Sequence, residues 1–564
     1  MLRPSSPLLL YATILLALFP QSAFAAGRPN IVLITLESTR ADRLGFLGAK
    51  LKLTPALDGI ARQSVIFQQA YAHAPLTVAS HATILSGTYP QTNQATEFGS
   101  PLPSSLPFLP ELLHSRGYRT AAFVGSIELD PRQGFAPGFD RGFDVYDAGF
   151  SRERRGIEVE SRAAAWLAAN AQAPLFLWVH INDPGASVRP SYNSAVAAAD
   201  AAAGKLIAAL RARKLYDDAL IVIAADHGES LGAHGEETHG IFLYDETVHV
   251  PLLLKLPQDQ MAGKAVHAHV GLVDVAPTIL EVAGVPVPSQ MQGQSLLRVA
   301  RGASSADQPV YSRSDFPQRA FGWSALESWR AGKYLYIRAP KPELYDVFSD
   351  PGATQNLALT SKATLGTIAT QLLAFDQHFN NASGSTAPTT LTSSEMQKLA
   401  SLGYVGLQKS SAVNAAASGI DPKDGTAAAN KVLAALALLN EGKPEKAITL
   451  LQPTPAVLSD SYLVHYVLGA ALARQQHYPQ AVEQLHRAIE LQPDSAWAHY
   501  EMGSSLLKTG DFKTAAIHLE IAATRLPSVA SAHMLLAQAY DHTGRPNDAR
   551  RERASAAKLG AEKP

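Results

Sequence analysis

Cysteine is absent from all 564 residues of the chain. We therefore expect a protein that folds without disulfides and without a cysteine-linked lipid anchor. An excess of either charge is also missing, because 48 basic residues stand against 49 acidic ones and the net charge is −1. This balance gives no general attraction to nucleic acid or to an anionic membrane, so no nucleic-acid partner is expected.

Long apolar runs are scarce, and the clearest one is Leu8–Leu18 near the N-terminus. Arg3 precedes this run and Ala23-Phe24-Ala25 follows it, which is the pattern of a signal peptide cleaved after Ala25. The run is too short to cross a membrane comfortably. We expect residues 1–25 to be a signal peptide, the mature protein to be periplasmic or secreted, and no transmembrane anchor to remain. An uncleaved N-terminal anchor is the alternative.

Two apolar segments end abruptly in polar residues that suit a metal ion. The run ALIVIAA is followed at once by Asp226 and His227, and the run IVLITL ends at Glu37. Such runs predict buried parallel strands, and open α/β sheets bind ligands at the carboxyl ends of their strands. Carboxylates and an imidazole at that edge favour a divalent metal site, with helix capping and loop solvation as the simpler alternative.

The segment APLTVASHATILSG (74–87) predicts a helix that begins at Thr77. A hydroxyl at a helix N-terminus lies beside backbone N–H groups that lack helical partners and beside the positive end of the helix dipole. This position suits an anionic substrate. For a lone threonine, simple capping of the helix is the alternative.

Together these segments resemble the sulfatase branch of the alkaline phosphatase superfamily. The similarity is carried by NIVLITLES, PLTVASHATILSG, ADHGE and LYDETVHVPLLL, then by LVDVAPTILEVAGVPVP (272–288), ELYDVFSDPGATQNLA (343–358) and LASLGYVG (399–406). The motifs occur in the family's order and span residues 28–406. The resemblance implies a metal-dependent hydrolase acting on an anionic sulfate or phosphate ester, or on a phosphonate.

The nucleophile departs from that of common sulfatases, whose cysteine is oxidised to formylglycine. Thr77 stands at that position, and Glu37, Thr77, Asp226 and His227 resemble the set of threonine-nucleophile members such as lipoteichoic-acid synthases and phosphoethanolamine transferases. The resemblance implies that these four residues bind a divalent metal ion. Their mixed carboxylate, hydroxyl and imidazole groups favour manganese or zinc, with calcium as the alternative.

The expected reaction is in-line attack by Thr77 on sulfur or phosphorus, giving a covalent intermediate that water hydrolyses. His81, His180 and His239 match positions where sulfatases contact the anion, so the resemblance makes them candidate donors, one of them a general acid. Transfer to a second alcohol is an alternative to hydrolysis. A different class of function is a catalytically impaired scaffold that binds protein partners, because residues 183–206 are poor in substrate-binding side chains.

The C-terminal quarter repeats with a period of 34 residues, as in the series Ala447, Ala481, Ala515 and Ala549. This is the tetratricopeptide period, in which small residues let paired helices pack closely. Such a solenoid presents a concave face on which a protein or peptide could bind, with Tyr466, Tyr500, His499 and His533 as candidate contacts. Alternatively, the repeat packs on the hydrolase and covers part of its mouth.

The predicted fold class is α/β, with an alkaline-phosphatase-like, mostly parallel sheet sandwiched by helices, then a small antiparallel sub-domain and an all-α solenoid. A chain of 564 residues is too long for a single core. We expect the hydrolase domain at 28–400, with its sub-domain at 305–380, a linker at 401–425, and the repeats at 426–560.

Overall fold

The computed structural model describes residues 28–95, 99, 101–150, 152–170, 174–184, 191–302, 308–382, 399, 402 and 419–561. The predicted signal peptide and most of the predicted linker lie outside these residues. The strands are β1 Ile31–Leu36, β2 Val65–Tyr71, β3 Arg119–Phe123, β4 Val145–Asp147, β5 Leu175–Ile181, β6 Leu220–Ala225, β7 His249–Lys255, β8 Ala265–Gly271, β9 Val310–Ser314, β10 Leu326–Ala331, β11 Tyr334–Arg338 and β12 Glu343–Asp346.

The helices fall into two groups. Those up to residue 382 are α1 Pro55–Ala61, α2 Thr77–Ser86, α3 Pro90–Asn93, α4 Leu109–His114, α5 Gly156–Ala169, α6 Tyr192–Ala212, α7 Asp245–Val248, α8 Val275–Val282, α9 Leu296–Ala300, α10 Phe316–Phe321 and α11 Lys362–Ala382. The later ones are α12 Pro422–Asn440, α13 Pro444–Leu451, α14 Tyr462–Arg474, α15 Tyr478–Leu491, α16 Ala496–Thr509, α17 Phe512–Arg525, α18 Ala530–His542 and α19 Pro546–Ala561. We call residues 28–382 the sheet region and residues 422–561 the helical region.

The main sheet has eight strands in the order β4-β3-β5-β1-β6-β7-β2-β8. Its central strand β1 pairs in parallel with β5 and β6, and β7 runs antiparallel to both of its neighbours. Every residue of β1, β5 and β6 is buried, as the unbroken apolar runs predict for strands covered by helices on both faces. The carboxyl ends of these three strands therefore meet at one edge of the sheet.

A second, four-stranded antiparallel sheet has the order β12-β11-β10-β9. Helix α11 packs on it, with Ile368 and Leu372 in a core shared with Trp329 and Tyr336. The predicted fold class, a mostly parallel sheet followed by a small antiparallel sheet and an all-α region, is confirmed.

Close packing of paired helices accounts for the 34-residue period of the helical region. The four alanines of the predicted series are all fully buried. At Gly469 and Gly503, also 34 residues apart, a Cβ would lie 2.6 Å and 2.5 Å from Leu485 and Leu519 of the next helix. Small residues recur because paired helices approach too closely at these points for a larger side chain.

In three repeats, a histidine on the first helix contacts the second helix of the same repeat. Its Nδ1 atom lies 2.7–2.9 Å from a side chain on the second helix, in the pairs His465 with Gln484, His499 with His518, and His533 with Glu552. The expectation that His499 faces a partner is wrong, because this side chain is fully buried between helices. A protein or peptide partner for the solenoid stays a prediction.

The helical region packs directly on the sheet region. Apolar side chains of α10 and its C-terminal turn share one core with α12 and α14. Polar contacts reinforce this packing: Ser461 Oγ donates to the Ala320 carbonyl at 2.8 Å, Trp323 Nε1 donates to the Val457 carbonyl at 3.0 Å, and the ring of Phe135 stacks on Trp497. The repeats therefore pack on the sheet region, which is one of the two arrangements that the sequence allows.

Among the helices that the structure describes, none combines the length and the apolar character needed to cross a bilayer.

Candidate metal centre and active site

Three neighbouring strands bring the predicted acidic residues together. Glu37 directly follows β1, and its N–H donates to the Ile181 carbonyl at 2.9 Å. Asp226 directly follows β6, and its N–H donates to the Leu36 carbonyl at 3.2 Å. Both residues therefore extend the parallel register by one position, and both side chains are buried at the carboxyl edge of the sheet.

Thr77 is the first residue of α2 and points its hydroxyl at this edge. Its Oγ1 atom donates to Glu37 Oε1 at 2.8 Å and lies 3.3 Å from His227 Nε2. The same two atoms, Glu37 Oε1 and His227 Nε2, are 3.3 Å apart. Glu37, Thr77 and His227, which are far apart in the chain, thus converge on one point at the positive end of a buried helix.

Asp226 has one fixed and one available carboxylate oxygen. Its Oδ1 accepts from the backbone N–H of Ser38 at 3.0 Å and of His227 at 2.8 Å. Its Oδ2 has no hydrogen-bond partner among the described residues, although it lies 3.7 Å from His227 Nε2. The backbone therefore holds this side chain with one oxygen aimed into the cluster.

For two histidines, the hydrogen-bond partners indicate which ring nitrogen carries the proton. His227 Nδ1 lies 2.8 Å from the Gly228 carbonyl, so it is the donor and Nε2 faces Glu37 and Thr77. His180 Nδ1 accepts from the Gly125 N–H at 3.4 Å, so the proton of the neutral ring is on Nε2. That Nε2 atom lies 2.9 Å from Glu37 Oε2. His180 therefore directs its Nε2 at Glu37, and His227 directs its Nε2 at Glu37 and Thr77.

His81 is arranged differently from the other two. Its Nδ1 donates to the Thr77 carbonyl at 2.8 Å, and its Nε2 lies 3.0 Å from the hydroxyl of Thr35. Burial, followed by the nearby His180, lowers the pKa of His81 to about 3. His81, His180 and Asp226 also form a second group with metal-ligand spacing. Because both nitrogens of His81 already have protein partners, this ring is better suited to holding the start of α2.

His239 is the most exposed histidine of the cluster. Its side chain is 26% exposed, whereas His180 and His227 are fully buried. Its ring centroid lies 4.4 Å from that of His227, and its Nδ1 lies 3.1 Å from Glu229 Oε2. Burial lowers the pKa of His239, but the charge of Glu229 outweighs this effect and raises it. Of the three candidate donors, His239 is the one whose side chain reaches solvent.

The two buried carboxyl groups of the centre favour a bound cation. Burial raises the pKa of Glu37, but contacts with His180 and His227 outweigh it and hold the pKa well below its usual range. Burial and the charge of Glu37 raise the pKa of Asp226. Burial lowers the pKa of His227, but Asp226 and Glu37 raise it to about 10. The protonated ring of His227 thus partly neutralises two adjacent buried carboxyl groups.

A divalent ion fits the residues present. Asp226 Oδ2 is buried without a hydrogen-bond partner among the described residues, and Glu37 Oε2 has only His180 Nε2 nearby, 2.9 Å away and outside hydrogen-bond geometry. Ligand atoms of Glu37, Asp226 and His227 all lie within 4.8 Å of one another. Buried carboxylate oxygens without partners are costly in a protein interior, and a cation between them removes that cost.

Several supporting residues were missed from the sequence. Ser38 has φ 46°, an uncommon left-handed conformation that directs its N–H to Asp226, and Tyr192 Oη donates to its carbonyl at 2.7 Å. Thr35 is a lone polar residue within the apolar run of β1, and this interruption was a signal that could have marked it. Gly125 gave no signal, because its role is a backbone N–H.

Comparison with protein families agrees with this geometry. Residues 29–285 match the sulfatase family model, and residues 238–374 match the C-terminal model of N-sulphoglucosamine sulphohydrolase. Residues 469–510 and 500–564 match tetratricopeptide repeat models. The chain therefore contains a sulfatase-type domain, the kind found in sulfuric ester hydrolases, and it carries tetratricopeptide repeats in its C-terminal part. The predicted resemblance is confirmed.

Curated relatives include the ulvan-active sulfatase of Formosa agariphila, 25% identical over 395 residues, which are 58% of this chain and 77% of that protein. The delta 4,5-hexuronate-2-O-sulfatase of Bacteroides thetaiotaomicron is 24% identical over 426 residues, 62% of this chain and 88% of the relative. Among solved structures, the phosphonate monoester hydrolase of Agrobacterium radiobacter aligns with a TM-score of 0.54 at 20% identity, covering 62% of this chain and 96% of that one. This last likeness shows the fold.

Proposed function

We propose that this protein is a metal-dependent hydrolase that cleaves a sulfate ester or a phosphonate or phosphate ester by attack of Thr77. The observation that carries the proposal is the position of Thr77 Oγ1, 2.8 Å from Glu37 Oε1 and 3.3 Å from His227 Nε2 at the start of a buried helix. The names of the curated relatives support sulfate. The hydroxyl nucleophile in a chain without cysteine supports a phosphorus-containing substrate.

Glu37, Thr77, Asp226 and His227 would hold the metal ion, and their mixed oxygen and nitrogen donors favour manganese or zinc over calcium. When bound, a divalent ion would lower the pKa of the Thr77 hydroxyl and neutralise negative charge on the substrate. The complete donor set argues against a purely binding role.

In the first step, the bond from Thr77 Oγ1 to sulfur or phosphorus forms as the bond to the leaving oxygen breaks. Glu37 Oε1 accepts the hydrogen bond of Thr77 and so orients its oxygen, and with the metal ion bound Thr77 would react as its alkoxide. His239 supplies a proton to the leaving oxygen, because it is exposed and its pKa is raised by Glu229. His180, with its proton on Nε2, donates to a non-bridging oxygen of the transition state.

In the second step, water attacks sulfur or phosphorus and the bond to Thr77 Oγ1 breaks. The water proton goes to His239, which restores the general acid, and Thr77 is released as its alkoxide for the next cycle. His81 holds the start of α2 through its bond to the Thr77 carbonyl and contributes no proton. We further propose that the reaction takes place in the periplasm or outside the cell.

The test compares Thr77→Ala and Thr77→Ser with the wild type on 4-nitrophenyl sulfate and 4-nitrophenyl phenylphosphonate, each with Mn²⁺, Zn²⁺ or Ca²⁺. We expect Thr77→Ala to lower kcat by at least about 10³-fold, while Thr77→Ser keeps measurable turnover. Mass spectrometry of quenched wild-type enzyme should find the transferred group on the peptide that contains Thr77. Full turnover by Thr77→Ala would overturn the proposal.

A further inference from the structure

The helical region contacts the loop that carries His239. This loop runs from Gly228 to Gly240, and residues 231, 232, 234, 235 and 240 within it adopt left-handed backbone conformations. Its two arms pair through the backbone, with Ser230 N donating to the Thr238 carbonyl at 2.8 Å and Gly232 N donating to the Glu236 carbonyl at 2.8 Å. Leu231 and His234 are not glycine and are therefore strained in this conformation, so the shape of the loop depends on such added contacts.

Asn430, on α12, supplies such a contact from outside the sheet region. Its Nδ2 donates to the Gly235 carbonyl at 2.8 Å, and its Oδ1 accepts from the Glu237 N–H at 3.2 Å. One amide side chain therefore satisfies both a backbone acceptor and a backbone donor at the tip of the loop. The methyl group of Thr426, one helical turn earlier, lies beside Gly235.

The held segment leads directly to His239, two residues beyond Glu237. The backbone pairing across the loop carries this restraint to Ser230 and Glu229, and Glu229 bonds to His239 at 3.1 Å. Helix α12 is itself fixed to the sheet region, because Lys423 Nζ lies 2.7 Å from Glu343 and the Lys341 N–H donates to Asp421 at 2.9 Å.

We infer that Asn430 is a positioning residue, through which the tetratricopeptide region fixes the loop that presents His239 to the substrate. This inference rests on the proposed function. The helical region is then part of the catalytic unit, although it contributes no group that touches the reacting atoms. Its contact acts on the leaving-group side of the site and leaves Glu37, Thr77, Asp226 and His227 undisturbed.

The test is Asn430→Ala in the full chain, with Asn440→Ala as control because it makes the same change at the exposed end of the same helix. On 4-nitrophenyl sulfate and 4-nitrophenyl phenylphosphonate we expect Asn430→Ala to lower kcat/KM by about tenfold. Metal content and thermal midpoint should stay at the wild-type values. Hydrogen exchange of residues 229–239 should accelerate in Asn430→Ala and not in Asn440→Ala.

A double-mutant cycle separates positioning from a general structural effect. If Asn430 acts through His239, then Asn430→Ala has no further effect in a His239→Ala background. An equal fall in both backgrounds, or unchanged hydrogen exchange in the loop, overturns the inference. Loss of activity in Thr77→Ala together with wild-type kcat/KM in Asn430→Ala would overturn this inference and leave the proposed function standing.

Discussion

The Nδ1 atom of His227 lies 2.8 Å from the carbonyl oxygen of Gly228, which fixes the ring so that Nε2 points at Glu37 and Thr77. In the metal-free protein the neighbouring carboxyl groups raise the pKa of His227 to about 10, so Nε2 carries a proton at neutral pH. A metal ion must displace that proton in order to bind there.

The first prediction is therefore that metal binding releases at least one proton and strengthens as pH rises. Below the raised pKa of His227 the proton competes with the metal, so the apparent Kd for Mn²⁺ or Zn²⁺ should fall by about tenfold per pH unit. Titration calorimetry in buffers of different ionisation enthalpy measures the released protons. His227→Gln should bind more weakly and lose most of this dependence, and a pH-independent Kd in the wild type contradicts the prediction.

The second prediction concerns Glu229, whose carboxylate lies 3.1 Å from His239 Nδ1 and raises its pKa. Glu229→Gln keeps an acceptor for the ring but removes the charge, so the pKa of His239 falls. If His239 must be protonated to act as general acid, the alkaline limb of the kcat profile moves to lower pH, while the activity at acid pH is retained.

Glu237→Gln is the matched control, because this exposed carboxylate lies on the same loop and makes no described contact with His239. Its kcat profile should coincide with that of the wild type. An alkaline limb that does not move in Glu229→Gln would show that His239 does not supply the proton.

Much of the centre follows from local patterns in the sequence. Apolar runs that end at Glu37 and Asp226 locate both carboxylates, because parallel strands place their carboxyl ends at one edge. The start of the helix at Thr77 is likewise predicted by its own segment. These features depend on the spacing of apolar residues and on the residues that end a strand or begin a helix. Both are properties of short stretches of sequence.

Other features depend on partners that no short stretch contains. The sequence predicts His81 as a donor, but its ring nitrogens are engaged by Thr35 and Thr77, and this is visible only in three dimensions. Asn430 contacts Gly235 from 195 positions away in the chain. The docking of a solenoid on another domain is fixed by surface fit, for which the 34-residue period carries no information.

The third prediction follows from the core that the two regions share. Trp323 is 2% exposed, donates to the Val457 carbonyl at 3.0 Å, and packs where a Cβ at Gly425 would overlap its indole ring. Trp323→Ala should lower the free energy of unfolding by about 3–5 kcal/mol, because it leaves a cavity between the regions. Trp323→Phe keeps most of the volume and should lose less.

Calorimetry of the wild type should show the sheet region and the helical region unfolding in one transition, and Trp323→Ala should separate them. Two independent transitions in the wild type would mean that the shared core does not couple the regions.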